Sequence, residues 1–279
     1  MAGAAATIRL RERPRPVIDT AMTQENAEQR LDLLLLARGL FESRSRARDA
    51  VQRGTVKVNG KVVTKPSLTV QSSAEIAIDD PAQAYVSRAA LKLIAALDHF
   101  SLSPEGLHCL DVGASTGGFT QVLLKRGAAH VTAVDVGHGQ MHPHVANDPR
   151  VTNIEGLNAR HLTADDIDLG ATDFIVSDVS FISLKLALAP ALALARPGAR
   201  CVLLVKPQFE AGREAISKAG LLKAPETAPQ VAASLEDWLT REMGYESLGL
   251  IPSPIEGGDG NAEFLLAGRK PEAETEARP

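Results

Sequence analysis

The sequence predicts an α/β fold: a Rossmann-like, doubly wound, mostly parallel sheet, preceded by a small N-terminal α+β domain. Three observations predict it. From residue 85 onward, strand-like and helix-like patterns alternate. The strand-like runs HCLDVG, DFIVSD and CVLLVK are nearly continuously apolar, as parallel strands covered on both faces must be. Residues 27–70 differ from everything after them in charge and in period.

In the first segment, RLDLLLLARGLFESRSRARDAVQRG reads as two short helices separated by Gly39, with Ser43 as N-cap of the second. TVKVNGKVVTKPSLTV then alternates as strands about an Asn59-Gly60 turn, a strong hairpin signal. The stretch 71–84 reads as a strand plus a short linker. Beyond it the pattern predicts helix 85–99, strand 107–112, helix 116–126 and strand 130–135. Strands near 151–154 and 173–177, helix 183–195, strand 200–205 and a helix near 224–243 follow. A closing pair, 245–251 and 262–268, suits an antiparallel edge. Residues 1–26 and 270–279 carry Pro, Arg, Glu and Ala without hydrophobic period and read as loose ends. The expected division is therefore 27–84 for the small domain with its linker and 85–269 for the sheet domain.

The 279 residues suffice for one large domain or two, and 44% hydrophobic with 23% charged residues excludes disorder throughout. Two cysteines, Cys109 and Cys201, each within an apolar run, exclude a disulfide scaffold and read as buried reduced thiols. The most apolar stretch, LALAPALALA at 186–195, is far shorter than a membrane span and is interrupted by Pro190. No apolar run follows the N-terminal charges as in a secretory leader, so a cytoplasmic location is expected.

The net charge of −4 hides an asymmetry. Residues 27–70 hold nine basic against four acidic side chains, a net of +5, which leaves −9 for the remainder. On the second helix Arg44 and Arg48 share one flank and Arg46 and Arg53 the other, with Ala47, Ala50 and Val51 facing inward. A small basic module beside an acidic body is the footprint of a polyanion site, although a merely solvated basic face has the same composition.

The first strand of the sheet domain ends in LDVGASTGGFTQVLL (110–124), a Gly-rich turn opening a helix. Gly113, Gly117 and Gly118 let the backbone turn tightly and approach a ligand. Asp135 ends the next strand, 24 residues after Asp111, where a carboxylate accepts hydrogen bonds from ribose hydroxyls. The pair reads as a nucleoside-cofactor site, for a dinucleotide or for S-adenosylmethionine. Asp111 favours the second, because an acid there opposes a pyrophosphate and suits an ammonium and a sulfonium.

Other polar residues stand at the carboxyl ends of strands, where such a sheet places its site. Asp178 follows the strand in SDVSF, Lys206 the strand in LVKPQFE, and Glu263 lies in GNAEFLL. In YVSRAALKL, Arg88 and Lys92 are spaced four apart on one predicted helix face. Histidines 138, 142 and 144 in GHGQMHPH lack an evident fourth ligand, so no metal is expected.

Residues 30–70 resemble the S-four-type RNA-binding domain in the leading RLD, the Gly-x-x-x-Ser-Arg joint and the V-x-VNG hairpin with KPS behind it. That resemblance implies an RNA grip made by Arg44, Arg46, Arg48, Arg53, Lys57 and Lys61, with Arg88 as a further RNA-binding residue. Over about 27–268 the segments YVSRAALKL, LDVGASTGGFT, AVDVGHGQ, SDVSFISL, LVKPQFEAGRE and GGDGNAEFLL resemble the TlyA-type family, also labelled haemolysins. Members join such an RNA-binding domain to an FtsJ-like methyltransferase domain. The resemblance implies a class I S-adenosylmethionine-dependent enzyme that methylates cytidine 2′-hydroxyls of ribosomal RNA, with ribosomal subunits as partners. It implies that Lys92, Asp178, Lys206 and Glu263 form a lysine–aspartate–lysine–glutamate tetrad. It also implies cofactor contacts from Asp111, Gly113, Ser115, Gly117, Gly118 and Asp135, and from Asn158 in EGLNARHL. The sequence departs from the family at 218–226, where KAGLLKAPE lacks a second Gly and an Asp. The competing readings are an NAD-dependent oxidoreductase and an RNA-binding protein with an inactive methyltransferase domain.

Overall fold

The computed structural model describes residues 27–167 and 171–273. The loose end expected at 1–26 and residues 274–279 of the expected tail lie outside them. The chain divides after Asp80 into two compact units.

The first unit contains β1 (Glu28–Arg30), α1 (Leu31–Ala37), α2 (Arg44–Gln52), β2 (Val56–Val58), β3 (Lys61–Val62), β4 (Thr69–Gln71) and β5 (Ile76–Ile78). Strands β3, β2 and β5 form one antiparallel sheet, and β1 pairs with β4 in another. The two helices form because Leu31, Leu34 and Leu35 on one and Ala47, Ala50 and Val51 on the other meet in a common core. Ser43 caps α2 by accepting from the Arg46 amide at 3.3 Å. The hairpin turns at Asn59 and Gly60, both with positive φ (49° and 77°), the geometry for which Asn-Gly is preferred. Strand β1 is not among the elements that the sequence predicts.

The second unit contains α3 (Ala90–His99), β6 (His108–Val112), α4 (Gly118–Lys125), β7 (His130–Asp135), α5 (Pro143–Ala146), β8 (Val151–Glu155), β9 (Phe174–Ser177), α6 (Leu184–Leu194), β10 (Arg200–Val205), α7 (Pro207–Glu210), α8 (Ala228–Arg241), β11 (Glu246–Pro252) and β12 (Phe264–Arg269). Its seven-stranded sheet runs β8-β7-β6-β9-β10-β12-β11. The first five of these are parallel, and β12 and β11 close the edge antiparallel. Along each central strand, alternate residues enter opposite cores. Leu110, Ile175, Cys201 and Leu203 pack with α6 and α8, while Cys109, Phe174, Val176 and Val202 pack with α3 and α4. The strand order reverses between β6 and β9, the position at which such sheets open a crevice beyond their carboxyl ends.

Three local expectations are corrected. Helix α3 begins at Ala90 rather than at 85, so Arg88 lies in the preceding turn and shares no helix face with Lys92. The Val86 amide is held instead by Gln121 Oε1 at 2.8 Å, and the Ala89 amide by Ser87 Oγ. Helix α4 begins at Gly118 rather than at 116, because Ser115 and Gly117 take positive φ (45° and 91°). Pro190 does not interrupt its apolar stretch as structure: α6 runs through it. The carbonyl that loses its donor belongs to Leu186, an exposed residue, so water can satisfy it. Among the described residues no helix is long and apolar enough to cross a membrane.

Candidate active site

The Gly-rich turn after β6 is shaped by close backbone approach. Gly113 has φ +83°, and a Cβ there would stand 2.9 Å from the Asp178 carbonyl oxygen, so only glycine fits between the ends of β6 and β9. Several of the turn's amides are committed within the protein. Gly113 and Ala114 donate to the Val134 carbonyl at 2.8 and 3.2 Å, and Ser115 donates to Asp135 Oδ2 at 2.8 Å. The Gly137 amide donates to Asp135 Oδ1 at 2.7 Å. Each Asp135 oxygen therefore takes one backbone donor and keeps lone pairs for a ligand hydroxyl.

Asp111 lies fully buried at the start of this turn. Its Oδ2 accepts from Thr120 Oγ1 at 2.7 Å, whereas Oδ1 is buried with no hydrogen-bond partner. Burial pushes the carboxyl up to about 7, against the lowering effect of Thr120 and with a further push from the charge of Asp178. An orphaned buried carboxylate oxygen is an acceptor suited to a cationic or N–H-bearing group. The same carboxyl stands near the α4 N-terminus, where a dinucleotide would place its pyrophosphate. A carboxylate there would oppose a pyrophosphate, which disfavours the dinucleotide alternative. Asn158 caps the 3₁₀ turn Ala159–His161, accepting from the Arg160 amide at 3.1 Å.

The four candidate tetrad residues form two ion pairs at the carboxyl rim of the sheet. Lys206 Nζ lies 2.6 Å from Asp178 Oδ1 and donates to Ser180 Oγ at 2.7 Å. Lys92 Nζ donates to Glu263 Oε2, with both side chains nearly fully buried. The antiparallel register of β10 on β12 pairs Val205 with Phe264, bringing Lys206 and Glu263 to the same edge although 57 residues separate them in sequence. Arg88 donates to the Glu256 carbonyl at 3.3 Å, in the loop that leads to Glu263. A buried lysine–carboxylate pair is costly to desolvate, and such a pair beside a second, partly exposed one at the carboxyl ends of the strands points to chemistry rather than stability. Among the described residues no group of His, Cys, Asp and Glu is arranged to hold a metal ion.

Some features of the site have no distinct signal in the sequence. Ser180 and Phe181 lie within SDVSF, where only Asp178 stands out by residue type. Phe181 is 90% exposed, takes φ +65° and packs its ring 5.1 Å from that of Phe209. Glu210 accepts from Ser183 Oγ at 2.6 Å and from the Leu184 amide at 2.8 Å, joining the loop after β9 to the segment after β10.

In the basic unit the arginines differ in their surroundings. Arg53 is largely buried, bonded to Asp49 at 2.8 Å and to both oxygens of Asp80 at 2.9 and 2.8 Å. Arg44 reaches the buried Asp32 at 2.9 Å. Arg30, and then Arg44, hold the Asp32 carboxyl down at about 2. Arg46 bonds Glu42 at 3.3 Å. Arg48, Lys57 and Lys61 are exposed.

Sheet order, turn and charge pairs together define a Rossmann-like protein of the methyltransferase class, with a separate small basic unit. Residues 85–270 match the FtsJ-like methyltransferase model and residues 29–76 the S4 domain model. The chain belongs to the FtsJ-like methyltransferase family, in its TlyA-type branch. It is 42% identical to the Mycobacterium tuberculosis protein named 16S/23S rRNA (cytidine-2′-O)-methyltransferase TlyA, over 85% of this chain and 88% of that relative. It is 39% identical to Hemolysin A of Brachyspira hyodysenteriae, over 85% of this chain and 98% of the relative. A solved structure described as a candidate hemolysin of Streptococcus thermophilus superposes with a TM-score of 0.67 at 38% identity, over 90% of this chain and 92% of the other.

Proposed function

We propose that this protein methylates the 2′-hydroxyl of a cytidine in ribosomal RNA, using S-adenosylmethionine and taking ribosomal subunits as its partners. The observation that carries the reading is the pair of lysine–carboxylate contacts, Lys206 with Asp178 and Lys92 with Glu263, beside the orphaned oxygen of Asp111. The name of the Mycobacterium tuberculosis relative supports the substrate class.

The residues fit the cofactor. Asp111 Oδ1 offers a buried acceptor for a cationic group, and Asp135 keeps lone pairs for ribose hydroxyls. Asn158 serves the adenosine end through its amide. S-adenosylmethionine, when bound, supplies a methyl group on a positively charged sulfur. The protein's own contribution is alignment and proton management. Holding the hydroxyl in place contributes up to about 7–11 kcal/mol. Lys206 meets the target oxygen, taking its proton as an amine or donating to the forming alkoxide as an ammonium. Asp178 orients Lys206, and Glu263 fixes Lys92 at the rim.

The basic unit supplies RNA affinity through Arg44, Arg46, Arg48, Lys57 and Lys61, and residues 85–269 supply the chemistry. The expected site is the cytoplasm, where two reduced cysteines remain unpaired; burial pushes the Cys109 and Cys201 thiols up to about 12, which makes them unreactive.

The test is incubation with methyl-labelled S-adenosylmethionine and ribosomal subunits, followed by alkaline digestion. A ribose 2′-O-methyl group blocks cleavage at its own phosphodiester, so the expected label is in an alkali-resistant dinucleotide. Label in single nucleotides would mean base methylation and would overturn the reading. Cofactor binding without any label would mark an inactive RNA-binding relative.

A further inference from the structure

Lys206 Nζ has four tetrahedral directions, one of which is its bond to Cε. Asp178 Oδ1 takes a second at 2.6 Å and Ser180 Oγ a third at 2.7 Å. One direction remains. In the ammonium it carries an N–H, and in the neutral amine it carries the lone pair. Whichever protonation state acts, the group meeting a target oxygen is the one that these two partners leave over.

We infer that Ser180 is a positioning residue for Lys206, which with Asp178 turns the remaining direction of Nζ toward the hydroxyl to be methylated. The inference rests on the reading of Lys206 as the residue that meets that hydroxyl. Asp178 alone fixes one N–H; a second fixed acceptor removes the residual rotation about Cε–Nζ and keeps water from competing for the third position.

The local structure is built to deliver the Ser180 hydroxyl. The loop from Asp178 to Ser183 is fastened to the segment Lys206–Glu210 at both ends. Lys206 holds its beginning through Asp178 and Ser180. Glu210 holds its end by accepting from Ser183 Oγ and the Leu184 amide. Between them Phe181 sits at φ +65°, a conformation unfavourable for a bulky residue, with its ring against Phe209. A strained residue held by contacts on either side is the mark of a loop whose course is over-determined. Ser180 itself is exposed, so its hydroxyl hydrogen is free to point to solvent while its oxygen accepts from Lys206. No core packing explains the contact.

The experiment compares wild type, Ser180→Ala and Ser180→Thr in methyl transfer to ribosomal subunits, with Lys206→Ala as the blank. Loss of one hydrogen bond to a charged group corresponds to roughly a 10- to 100-fold effect. The expected result is a kcat lowered by roughly that factor in the alanine variant, with RNA KM, cofactor affinity and melting temperature unchanged, and near-complete rescue by threonine, which keeps the hydroxyl. Wild-type kcat in Ser180→Ala would overturn the inference. So would a threonine variant as slow as alanine, or a loss of kcat matched by loss of cofactor affinity and stability, which would make Ser180 part of the loop's packing only.

A second measurement does not depend on turnover. In ¹⁵N-lysine NMR, assigned with Lys206→Ala, the Lys206 ammonium protons are expected to exchange slowly in wild type and Ser180→Thr and rapidly in Ser180→Ala. Equal exchange in all three would overturn the inference. Absence of transfer by wild type with the exchange pattern intact would instead sink the proposed reaction and leave the Ser180–Lys206 coupling standing.

Discussion

Val205 and Phe264 sit opposite each other across the antiparallel junction of β10 and β12, and the residue beyond each is charged: Lys206 and Glu263. The sheet edge thus sets two ion pairs at one rim, Lys206 with Asp178 and Lys92 with Glu263. Their environments differ. The Lys92–Glu263 pair is almost wholly buried, whereas Asp178 keeps about a fifth of its side chain exposed, with a relative area of 19%.

Burial makes the Lys92–Glu263 pair sensitive to removal of either half. Lys92→Met leaves an uncompensated buried carboxylate and is expected to destabilise the protein by about 3–5 kcal/mol. The double variant Lys92→Met with Glu263→Leu removes both charges and is expected to recover most of that stability, with no recovery of methyl transfer. Denaturant unfolding of the two variants checks the first part and the labelling assay the second. A double variant as unstable as the single one would mean that the pair stabilises the fold.

For Lys206 the expectation is loss of chemistry with binding intact. Lys206→Ala is expected to abolish transfer and to leave S-adenosylmethionine affinity within a few-fold of wild type, as measured by calorimetry. Asp178→Asn, which keeps the side-chain shape and loses the charge, is expected to lower kcat by roughly 100-fold or more, in line with the removal of a charge-assisted interaction in a catalytic site. Turnover like that of wild type in Lys206→Ala would remove this lysine from the mechanism.

Asp111 makes stability depend on pH in a defined direction. Its carboxyl is raised from 3.8 in the unfolded chain to about 7 in the fold, chiefly by burial. The folded state therefore holds a proton that the unfolded state has released. The associated stability is fully present below about pH 4 and is lost as pH rises through about 7. At about 1.4 kcal/mol for each tenfold change in proton affinity, the effect is on the order of 4 kcal/mol. Asp111→Asn is expected to melt higher than wild type at pH 8 and to lack this loss between pH 5 and pH 8. Wild-type affinity for S-adenosylmethionine is expected to rise over the same interval, because the carboxylate is the form that suits a cation. Parallel melting curves for the two proteins across that interval would contradict the assignment.

The sheet is legible in the sequence because its strands are apolar on both faces and end in polar residues: CVLLV then Lys206, FIVS then Asp178. The hairpin is legible because Asn59-Gly60 has few other uses. What stays hidden depends on three-dimensional neighbours. Nothing in YVSRAALKL indicates that Gln121 holds the Val86 amide and delays the helix to Ala90. The pairing of Lys92 with Glu263, 171 residues apart, depends on the packing of α3 against β12. Ser180 is one of many loop serines until Lys206 is placed against it.

Charge counting treats the arginines of residues 27–70 as equivalent, and their surroundings separate them. Arg48 is exposed, whereas Arg53 is held by Asp49 and Asp80. Arg48→Ala, alone or with Lys57→Ala, is expected to weaken RNA binding with little change in melting temperature. For every phosphate no longer neutralised, the slope of log affinity against log salt should flatten by roughly 0.7–0.9. Arg53→Ala is expected to act differently: it removes a guanidinium bonded to both Asp49 and the nearly buried Asp80 and lowers stability by about 1–3 kcal/mol, with a smaller effect on the salt slope. Arg44→Ala should show both effects, because its guanidinium is half exposed and also reaches the buried Asp32. Filter binding across a salt series, with melting curves for each variant, distinguishes these outcomes. An unchanged slope for Arg48→Ala with Lys57→Ala would exclude phosphate binding by this face.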